Sequence, residues 1–539
     1  MATRTKTIES SIADTIQLRQ QDKDGSSDAP ETPGGVESGS GTTDEAPDYP
    51  TGIEFWFITI MLGALLILGA LDINIVATAV PSITNDFHTV SDVGWYSSAF
   101  RLCCCAFQFV FGKMYKVFSV KCIFLFANAI FTFGSLICAT ATSSKMFVVG
   151  RAFTGAGFAG LIGGIFTVIT YILPLRKRPF YCGILGGVEA VAMLVAPILG
   201  GVLTQSIGWR WCFWINLPMG GATFLMLMLL FSDPKPSDKS ISFRRKLILL
   251  DPVSNLLFIP GLTSLFLALS WAGTKYPWND GKVIGLLVTF AVLVTTFSFN
   301  QRRLGDNAAL PPRILKNRNV VASAIFALCS QSAIQVLEYY LPTKSGYMMT
   351  PIVVGSMLGL FLCGSGTSIL GYYTPFMLFS SFASPVFAGL ITTFGVRTEF
   401  VRLILYTGAS GLASGLAFNV PFSAVQTVLS TEDVSMGLSI VLFAQHFGPA
   451  VSVAIAQVIF TNQLSSNLDG LMPNVTSRDI GDSGLMEIAG RAPPVLHSEV
   501  LGEISRSLST TWYVAVGYTC ATLVGSLLME WRSVKVKKT

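Results

Sequence analysis

Long apolar segments recur along most of this chain, and each of them, at roughly 18–25 residues, is long enough to cross a bilayer as a helix. They lie at roughly 55–80, 93–111, 120–141, 146–173, 180–203, 211–231, 252–271, 283–300, 319–341, 347–370, 374–395, 401–420, 434–460 and 511–530. Only 12% of the 539 residues are charged, whereas soluble domains carry about 25%. The sequence therefore predicts an all-α polytopic membrane protein with about fourteen transmembrane helices.

Cations concentrate in every second loop between these segments. Those loops and the C-terminal tail hold Lys113, Lys116, Lys121, Arg176, Lys177, Arg178, Lys235, Lys239, Arg244, Arg245, Lys246, Arg302, Arg303, Arg313, Lys316, Arg318, Arg532, Lys535, Lys537 and Lys538. The opposite short loops hold isolated cations such as Lys145, Arg210 and Lys344. By the positive-inside rule, both termini are predicted to face the cytosol. Because the cations are spread over short loops rather than gathered on one soluble face, no nucleic-acid partner is predicted.

Three segments outside the apolar spans complete the predicted topology. Residues 1–50 are rich in Ser, Thr, Gly, Pro and acids, and they predict a disordered cytoplasmic tail rather than a signal peptide. Residues 461–510 form a long loop on the extracellular side, where the triplet beginning at Asn474 is a candidate glycosylation site. Residues 531–539 form a basic cytoplasmic tail.

Asp72 and Arg151 are ionisable residues that lie inside apolar spans. Asp72 lies in the first span and Arg151 in the fourth, where the predicted topology places both in the outer half of the membrane. A charge at membrane depth costs about 2.5–3.5 kcal/mol on insertion scales, so such residues pair with one another or serve a function. An ion pair between them is therefore geometrically feasible, and Asp72 is a candidate site of protonation.

The fifth span combines glycine, proline and an acid, as expected of a moving part of a transporter. Ala192, Ala196 and Gly200 fall four residues apart and share one helix face, which lets a neighbouring backbone approach closely. Pro197 removes a backbone donor and bends the helix. Glu189 lies in the same span, where it either tunes the choice of substrate or faces the lumen as a bystander.

Other polar residues in apolar spans are candidates for the lining of a cavity, and each has a structural alternative. Arg101 could pair with a carboxylate or extend its charge toward the membrane surface. His446 could relay a proton or simply pack within its helix. The remaining polar candidates, which could instead form hydrogen bonds between helices, are Gln108, Gln331, Gln335, Asn419 and Gln426. The ten cysteines, which lie almost wholly in apolar spans, are predicted to be small packing residues.

Motifs for other kinds of chemistry are missing from the sequence. It contains no GxxxxGK[ST] loop, which argues against an ATP-driven pump, and no HExxH or comparable metal spacing. The stretch GILGGVEA lacks the strand–helix context of a dinucleotide-binding loop. An enzyme, a metal site and a cofactor are therefore not predicted.

Several motifs, taken in order, resemble those of the fourteen-helix drug:proton antiporter branch of the major facilitator superfamily, which includes fungal toxin and secondary-metabolite efflux pumps. They are LDINIVATAVP in the first span, VGRAFTGAG in the fourth, APILGG in the fifth, and then GWRWCFWINLPMGG, EYYLP, PFSAVQTVL, STEDV and FTNQL. The resemblance covers roughly residues 53–530 and rests on the order and spacing of the motifs together.

The resemblance implies an architecture and a set of site residues. It implies a six-helix bundle at 53–231, a linker with two transmembrane helices at 232–318, and a second six-helix bundle at 319–530, which rock about a central cavity. Asp72 and Arg151 match charged positions of the family and would couple transport to protons. The antiporter motif of the fifth helix is matched by Gly187, Pro197, Gly200 and Gly201.

The sequence departs from the family in two places. In FGKMYKVFSVK, Gly112 matches the superfamily loop, but Tyr115 and Lys116 occupy the region where an acid is widespread, which weakens a gating salt bridge there. After Pro342, Thr343 follows at once, as though about a dozen residues of the helix end and outer loop were missing. Such a deletion would remove about 18 Å of helix.

The expected function is export of a hydrophobic or amphipathic secondary metabolite, toxin or drug by a monomeric, glycosylated plasma-membrane antiporter, with protons as the second partner and multidrug resistance as a consequence. Two alternatives remain open. One is uptake or exchange of an iron chelate or nutrient on the same fold, and the other is a membrane receptor or scaffold without transport, which the short join after Pro342 would suit. Such cavities are apolar and permissive, so the sequence does not identify the substrate.

Overall fold

A computed structural model describes residues 49–50, 52–89, 92–233, 242–272, 276–340, 349–395, 398–468, 471 and 496–535. The long helices of this part of the chain are α1 (Gly52–Phe87), α2 (Val93–Val117), α3 (Val120–Ala139), α4 (Ser144–Ile172), α5 (Arg178–Ser206), α6 (Trp211–Leu230), α7 (Pro252–Trp271), α8 (Gly281–Leu304), α9 (Arg318–Tyr340), α10 (Thr350–Leu370), α11 (Thr374–Ile391), α12 (Phe400–Val428), α13 (Thr431–Leu468) and α14 (His497–Leu528). Helices α6 and α12 are each interrupted once, around Ile215 and between Gly415 and Val420.

Each apolar span of the sequence overlaps one of these helices. Thirteen of the described helices are long and apolar enough to cross a membrane. The remaining one, α2, carries Arg101, Lys113 and Lys116, which lower its mean hydropathy. The prediction of an all-α fold with about fourteen membrane helices is confirmed.

The helices form two six-helix bundles joined along two seams. Helices α1–α6 pack into the first bundle and α9–α14 into the second, while α5 meets α10 at one seam and α2 meets α13 at the other. The linker helices α7 and α8 pair with each other, and α7 also lies against α2. Rings of Phe109, Phe258 and Phe443 have centroids 4.9, 5.2 and 5.6 Å apart, so the linker is anchored on the α2/α13 seam.

The small residues that the sequence places in stripes lie where helices approach closely. A side chain at Gly155 of α4 would strike the backbone of Phe100 in α2. A side chain at Gly200 of α5 would strike Thr78 and Ile75 in α1. Close packing of this kind is the main source of helix association in a membrane, where lipid removes most of the hydrophobic driving force.

The predicted extracellular loop at 461–510 is too long. Helix α13 continues to Leu468 and α14 begins at His497, so both helices extend into it. Asn467, a polar residue of the predicted loop, instead forms a hydrogen bond between the two helices, because its amide donates to Ser507 Oγ at 3.1 Å. Residues 1–48, the join at 341–348 and the candidate glycosylation site Asn474 lie outside the described residues.

Candidate transport site

Asp72 and Arg151 form an ion pair sealed inside the N-terminal bundle. Arg151 Nη1 donates to Asp72 Oδ2 at 2.5 Å, and the two side chains are 1% and 0% exposed, respectively. Asn216 in α6 donates through Nδ2 to the other carboxylate oxygen at 3.0 Å. Each oxygen of Asp72 therefore has a donor, which compensates in part for the removal of both charges from water.

Neighbouring helices hold this pair from several sides. Arg151 Nε donates to the Tyr96 carbonyl of α2 at 3.0 Å, and the guanidinium carbon lies 4.7 Å from the centroid of the Phe100 ring. Asn216 also donates to Ser135 Oγ of α3 at 3.2 Å. Rotation of α1 or α4 would therefore have to break charge-assisted hydrogen bonds.

A second polar group lies between the bundles. Arg101 of α2 donates through Nη2 to Gln335 Oε1 of α9 at 2.9 Å. Glu338, one turn further along α9, interacts electrostatically with Arg101 but forms no ion pair in the described part of the chain. These residues and His446 of α13 are half-buried, in contrast to the fully buried Asp72. They therefore face the space between the bundles rather than a packed interior.

Two polar side chains close to this group lack partners. Gln108 lies seven residues after Arg101 on the same face of α2, and both of its amide atoms are buried with no hydrogen-bond partner among the described residues. His446 Nε2 is buried and unpartnered in the same sense, and its ring packs edge-on against Phe158 with centroids 6.3 Å apart. A buried polar group left unpaired costs about 1–3 kcal/mol.

Three of the predicted cavity candidates, Gln335, Asn419 and Gln426, form hydrogen bonds between helices, which was the structural alternative for them. Asn419 Nδ2 donates to the Cys182 carbonyl of α5 at 2.7 Å, and Gln426 Nε2 donates to the Phe166 carbonyl of α4 at 3.5 Å. Gln331 is half-buried on α9. Asn419 and Gln426 thus tie the bundles together, while Gln335 reaches Arg101.

The α2/α13 seam is closed at one end by charge. Lys116 Nζ lies 2.7 Å from Asp433 Oδ1, and Arg313 Nη2 lies 2.7 Å from Asp433 Oδ2. The absence of the superfamily acid weakened the case for a salt bridge in this region, yet the structure forms one here. Here the cation stands on the N-terminal bundle and the acid on the first turn of α13, so a pair forms with the opposite polarity.

The α5/α10 seam is closed by backbone contact near the same end. A side chain at Gly183 of α5 would lie 2.8 Å from the Leu360 carbonyl and 3.3 Å from Gly364 Cα. Arg176 and Ser368, at the adjoining helix ends, exchange side-chain to backbone hydrogen bonds of 3.4 and 3.0 Å. In the described chain, the cross-bundle hydrogen bonds other than Arg101–Gln335 lie toward this end.

The remaining residues of the fifth-span motif are spread along α5. The helix is continuous through Pro197 from Arg178 to Ser206, and a side chain at Gly201 would meet nothing within 4 Å. Glu189 is half-buried and forms no ion pair or hydrogen bond in the described chain. An apolar cleft of about 720 Å³ between α1, α5 and α10 is lined by residues including Ile67, Leu71, Gly187, Val191, Met357 and Phe361.

Sequence reasoning missed three residues that the structure places at these sites: Asn216, Glu338 and Asp433. Each stood within a motif that was noticed, but nothing in the sequence gave its partner. Asn216 and Glu338 are polar residues inside apolar runs, which is the signal that could have found them. Asp433 opens a helix, where an acid is also common for reasons of helix stability alone.

The residues of these sites can carry a charge and could form different hydrogen bonds if the two bundles moved. The described residues include no group of His, Cys, Asp or Glu that could bind a metal. Two six-helix bundles with ionisable side chains held within and between them are typical of membrane transporters. The sequence profile of the Major Facilitator Superfamily matches residues 62–453, and the chain belongs to this family. It is therefore a multi-pass membrane transporter and not an enzyme.

Similar proteins include several from fungi. The chain is 39% identical over 92% of its length to "MFS-type efflux pump MFS1" of Trichophyton rubrum, and covers 94% of that protein. It is 36% identical over 95% of its length to "MFS-type transporter VdtG" of Byssochlamys spectabilis, with 94% of that protein covered. It is 34% identical over 91% of its length to "Efflux pump aflT" of Aspergillus parasiticus, with 98% covered.

Solved structures show the same fold at low identity. The human organic anion transporter MFSD10 (TETRAN) matches with a TM-score of 0.56 at 11% identity, over 89% of this chain and 100% of that one. The proton:xylose symporter XylE matches with a TM-score of 0.56 at 13% identity, over 88% of this chain and 94% of that one.

Proposed function

We propose that this chain exports an amphipathic small molecule, such as a secondary metabolite, across the plasma membrane in exchange for protons. The names of its relatives support export, since several are called efflux pumps. The observation that supports proton coupling is the Asp72–Arg151 pair. This carboxylate and its counter-ion are buried within apolar spans, and each carboxylate oxygen accepts a hydrogen bond. Ionisable residues inside membrane-spanning segments are rare and are therefore candidates for a function by default.

The proposed cycle uses the pair as a switch. A proton arriving from outside neutralises Asp72, which removes the charge that holds Arg151 and lets the N-terminal bundle repack. The same proton leaves Asp72 toward the cytosol after the bundles have rocked, and the ion pair forms again. Because Asp72 is 0% exposed here, the proton reaches it only when the surrounding helices separate.

The conformation fits the outward-facing part of this cycle. The seams are closed at the end that carries Lys116 and Asp433, and the distribution of cations predicts that this end is cytosolic. Both termini would then face the cytosol. The transporter would act as a monomer, with its substrate and protons as partners and Asn474 as a glycosylation site.

Everted membrane vesicles under an imposed pH gradient test this function. The wild-type protein should accumulate substrate in the vesicle lumen only when that lumen is acidic. Asp72→Asn should abolish the gradient-driven part of uptake. Asp86→Asn is the matched control, because Asp86 lies on the same helix but forms an exposed pair with Arg210 at 2.7 Å. Normal gradient-driven transport by Asp72→Asn would show that another residue carries the proton.

A further inference from the structure

Arg101 stands between the two bundles with most of its donors free for a ligand. In the described part of the chain, its guanidinium makes one side-chain hydrogen bond, to the neutral amide of Gln335. An arginine has five N–H donors in a planar fork that matches a carboxylate in bidentate geometry. We propose that Arg101 binds an acidic group, a carboxylate or an ionised enol, of the exported molecule, an inference that rests on the export function proposed above.

Glu338 gives this site a second ionisable group, a carboxyl group that is negatively charged when it is deprotonated. Its carboxylate interacts electrostatically with Arg101 without taking the guanidinium as an ion-pair partner. An acid bound to Arg101 would lie near this like charge, which weakens the binding and favours release. Arg101 therefore makes the site selective for an acid, whereas Glu338 lowers the affinity with which that acid is bound.

Gln108 and His446 supply further polar contacts for the same ligand. Gln108 is seven residues from Arg101, or about 10 Å along the helix axis, and both of its amide atoms lack a partner in the described chain. His446 Nε2 lacks one as well. The wall beside His446 is the ring of Phe158. The site therefore fits a molecule with an acid at one end, a flat apolar body and an uncharged polar group about 10 Å away.

The site differs from the proton-coupling pair in its surroundings. Asp72 and Arg151 satisfy each other and are sealed within one bundle. Arg101 and Gln335 belong to different bundles and are half-buried. Rocking of the bundles would change the distance between Arg101 and Gln335. A ligand bound to Arg101 would therefore contact different residues in the two conformations.

Fluorescence binding to the purified full-length protein in nanodiscs tests the site with two matched probes, pyrenebutyrate and its uncharged amide. The wild type should bind the acid more tightly than the amide. Arg101→Gln should weaken binding of the acid by about 10- to 100-fold and leave the amide within about twofold, as expected for loss of charge-assisted hydrogen bonds. Glu338→Gln should tighten binding of the acid about threefold or more, because a like charge is removed.

Two controls separate recognition from folding. Arg101→Lys keeps the charge without the fork and should retain part of the preference for the acid. Arg506→Gln removes an exposed arginine of α14 whose side chain is 73% exposed, and should change neither probe. Thermal unfolding of each variant shows whether it is folded. Equal binding of the two probes by the wild type, absence of saturable acid binding, or equal losses for both probes in Arg101→Gln would overturn the proposal.

Failure of the acid-binding proposal can be distinguished from failure of the proposed export function. Selective acid binding without any flux driven by a pH gradient would refute proton-coupled export and leave the acid site standing. Flux driven by the gradient, together with no discrimination between the acid and the amide, would refute the acid site alone.

Discussion

Lys116 of α2 and Asp433 of α13 form an ion pair of 2.7 Å that joins the two bundles at one end of their seam. The Asp433 side chain is 7% exposed and also receives Arg313. The carboxylate thus pairs with one cation from α2 and one from the linker that precedes α9. If the bundles separate here in the opposite conformation, this pair must break, so we expect it to act as a latch that stabilises the closed end.

Neutralising Asp433 should release that latch. Asp433→Asn removes two charge-assisted contacts, which are typically worth about 1–3 kcal/mol in a partly buried setting. The closed conformation should lose population relative to the other by about 5- to 150-fold. Spin-label distances between the ends of α2 and α13 that carry Lys116 and Asp433 would measure this change. Glu503→Gln, which removes an exposed pair with Arg506, is the control, and an unchanged distance distribution in Asp433→Asn would rule out the latch.

Substituting one residue of the Asp72–Arg151 pair should destabilise the protein more than substituting both. Asp72→Asn or Arg151→Gln alone should destabilise the folded protein by about 3–5 kcal/mol, because each leaves the other residue as an uncompensated buried charge. The double variant should be more stable than either single variant while remaining inactive in transport. Thermal unfolding in detergent would measure this cycle, and additive losses would contradict it.

Asn216 should stabilise the folded protein because its amide orients the Asp72 carboxylate. Asn216→Leu removes the donors to Asp72 and Ser135. We expect a loss of about 1.5–3 kcal/mol in unfolding free energy, as for a hydrogen bond to a charged group. Asn467→Leu on α13, whose amide donates to a neutral serine hydroxyl, is the comparison and should cost less. Equal losses would mean that the charge on Asp72 gains nothing from Asn216.

Substitutions at Gly200 and Gly201, the adjacent glycines of the fifth-span motif, should have very different effects on stability and transport. Gly200→Val places a side chain against Thr78 and Ile75, whereas Gly201→Val meets nothing within 4 Å. Both substitutions add the same side chain to the same helix, so intrinsic helix propensity cancels. We expect Gly200→Val to lower the melting temperature and the transport rate, and Gly201→Val to leave both near wild type. A reversed order would contradict the close approach of α1 and α5.

Much of the fold could be predicted because it follows from local composition. Apolar length sets the helices, as the agreement between 252–271 and α7 shows. Helix ends were less predictable: α13 extends to Leu468 because polar residues such as Asn467 find partners on the neighbouring helix. Such a partner is distant in the sequence and leaves no local trace.

The candidate site was predictable only as separate residues. Asp72 and Arg151 stood out because charge in an apolar span is rare. The link between Arg101 and Gln335 crosses 234 positions of sequence, and the reversed polarity of the Lys116–Asp433 pair depends on which helices meet at the seam. Both are properties of tertiary packing, which spacing along one chain does not encode.

Proton movement in liposomes that contain only this protein tests the central claim most directly. When substrate flows out of the lumen down its own gradient, a lumenal pH dye should report acidification with the wild type, because each exported molecule is exchanged for protons. The signal should be absent with Asp72→Asn and present with Asp86→Asn. Substrate efflux by the wild type with no change in lumenal pH would contradict proton exchange.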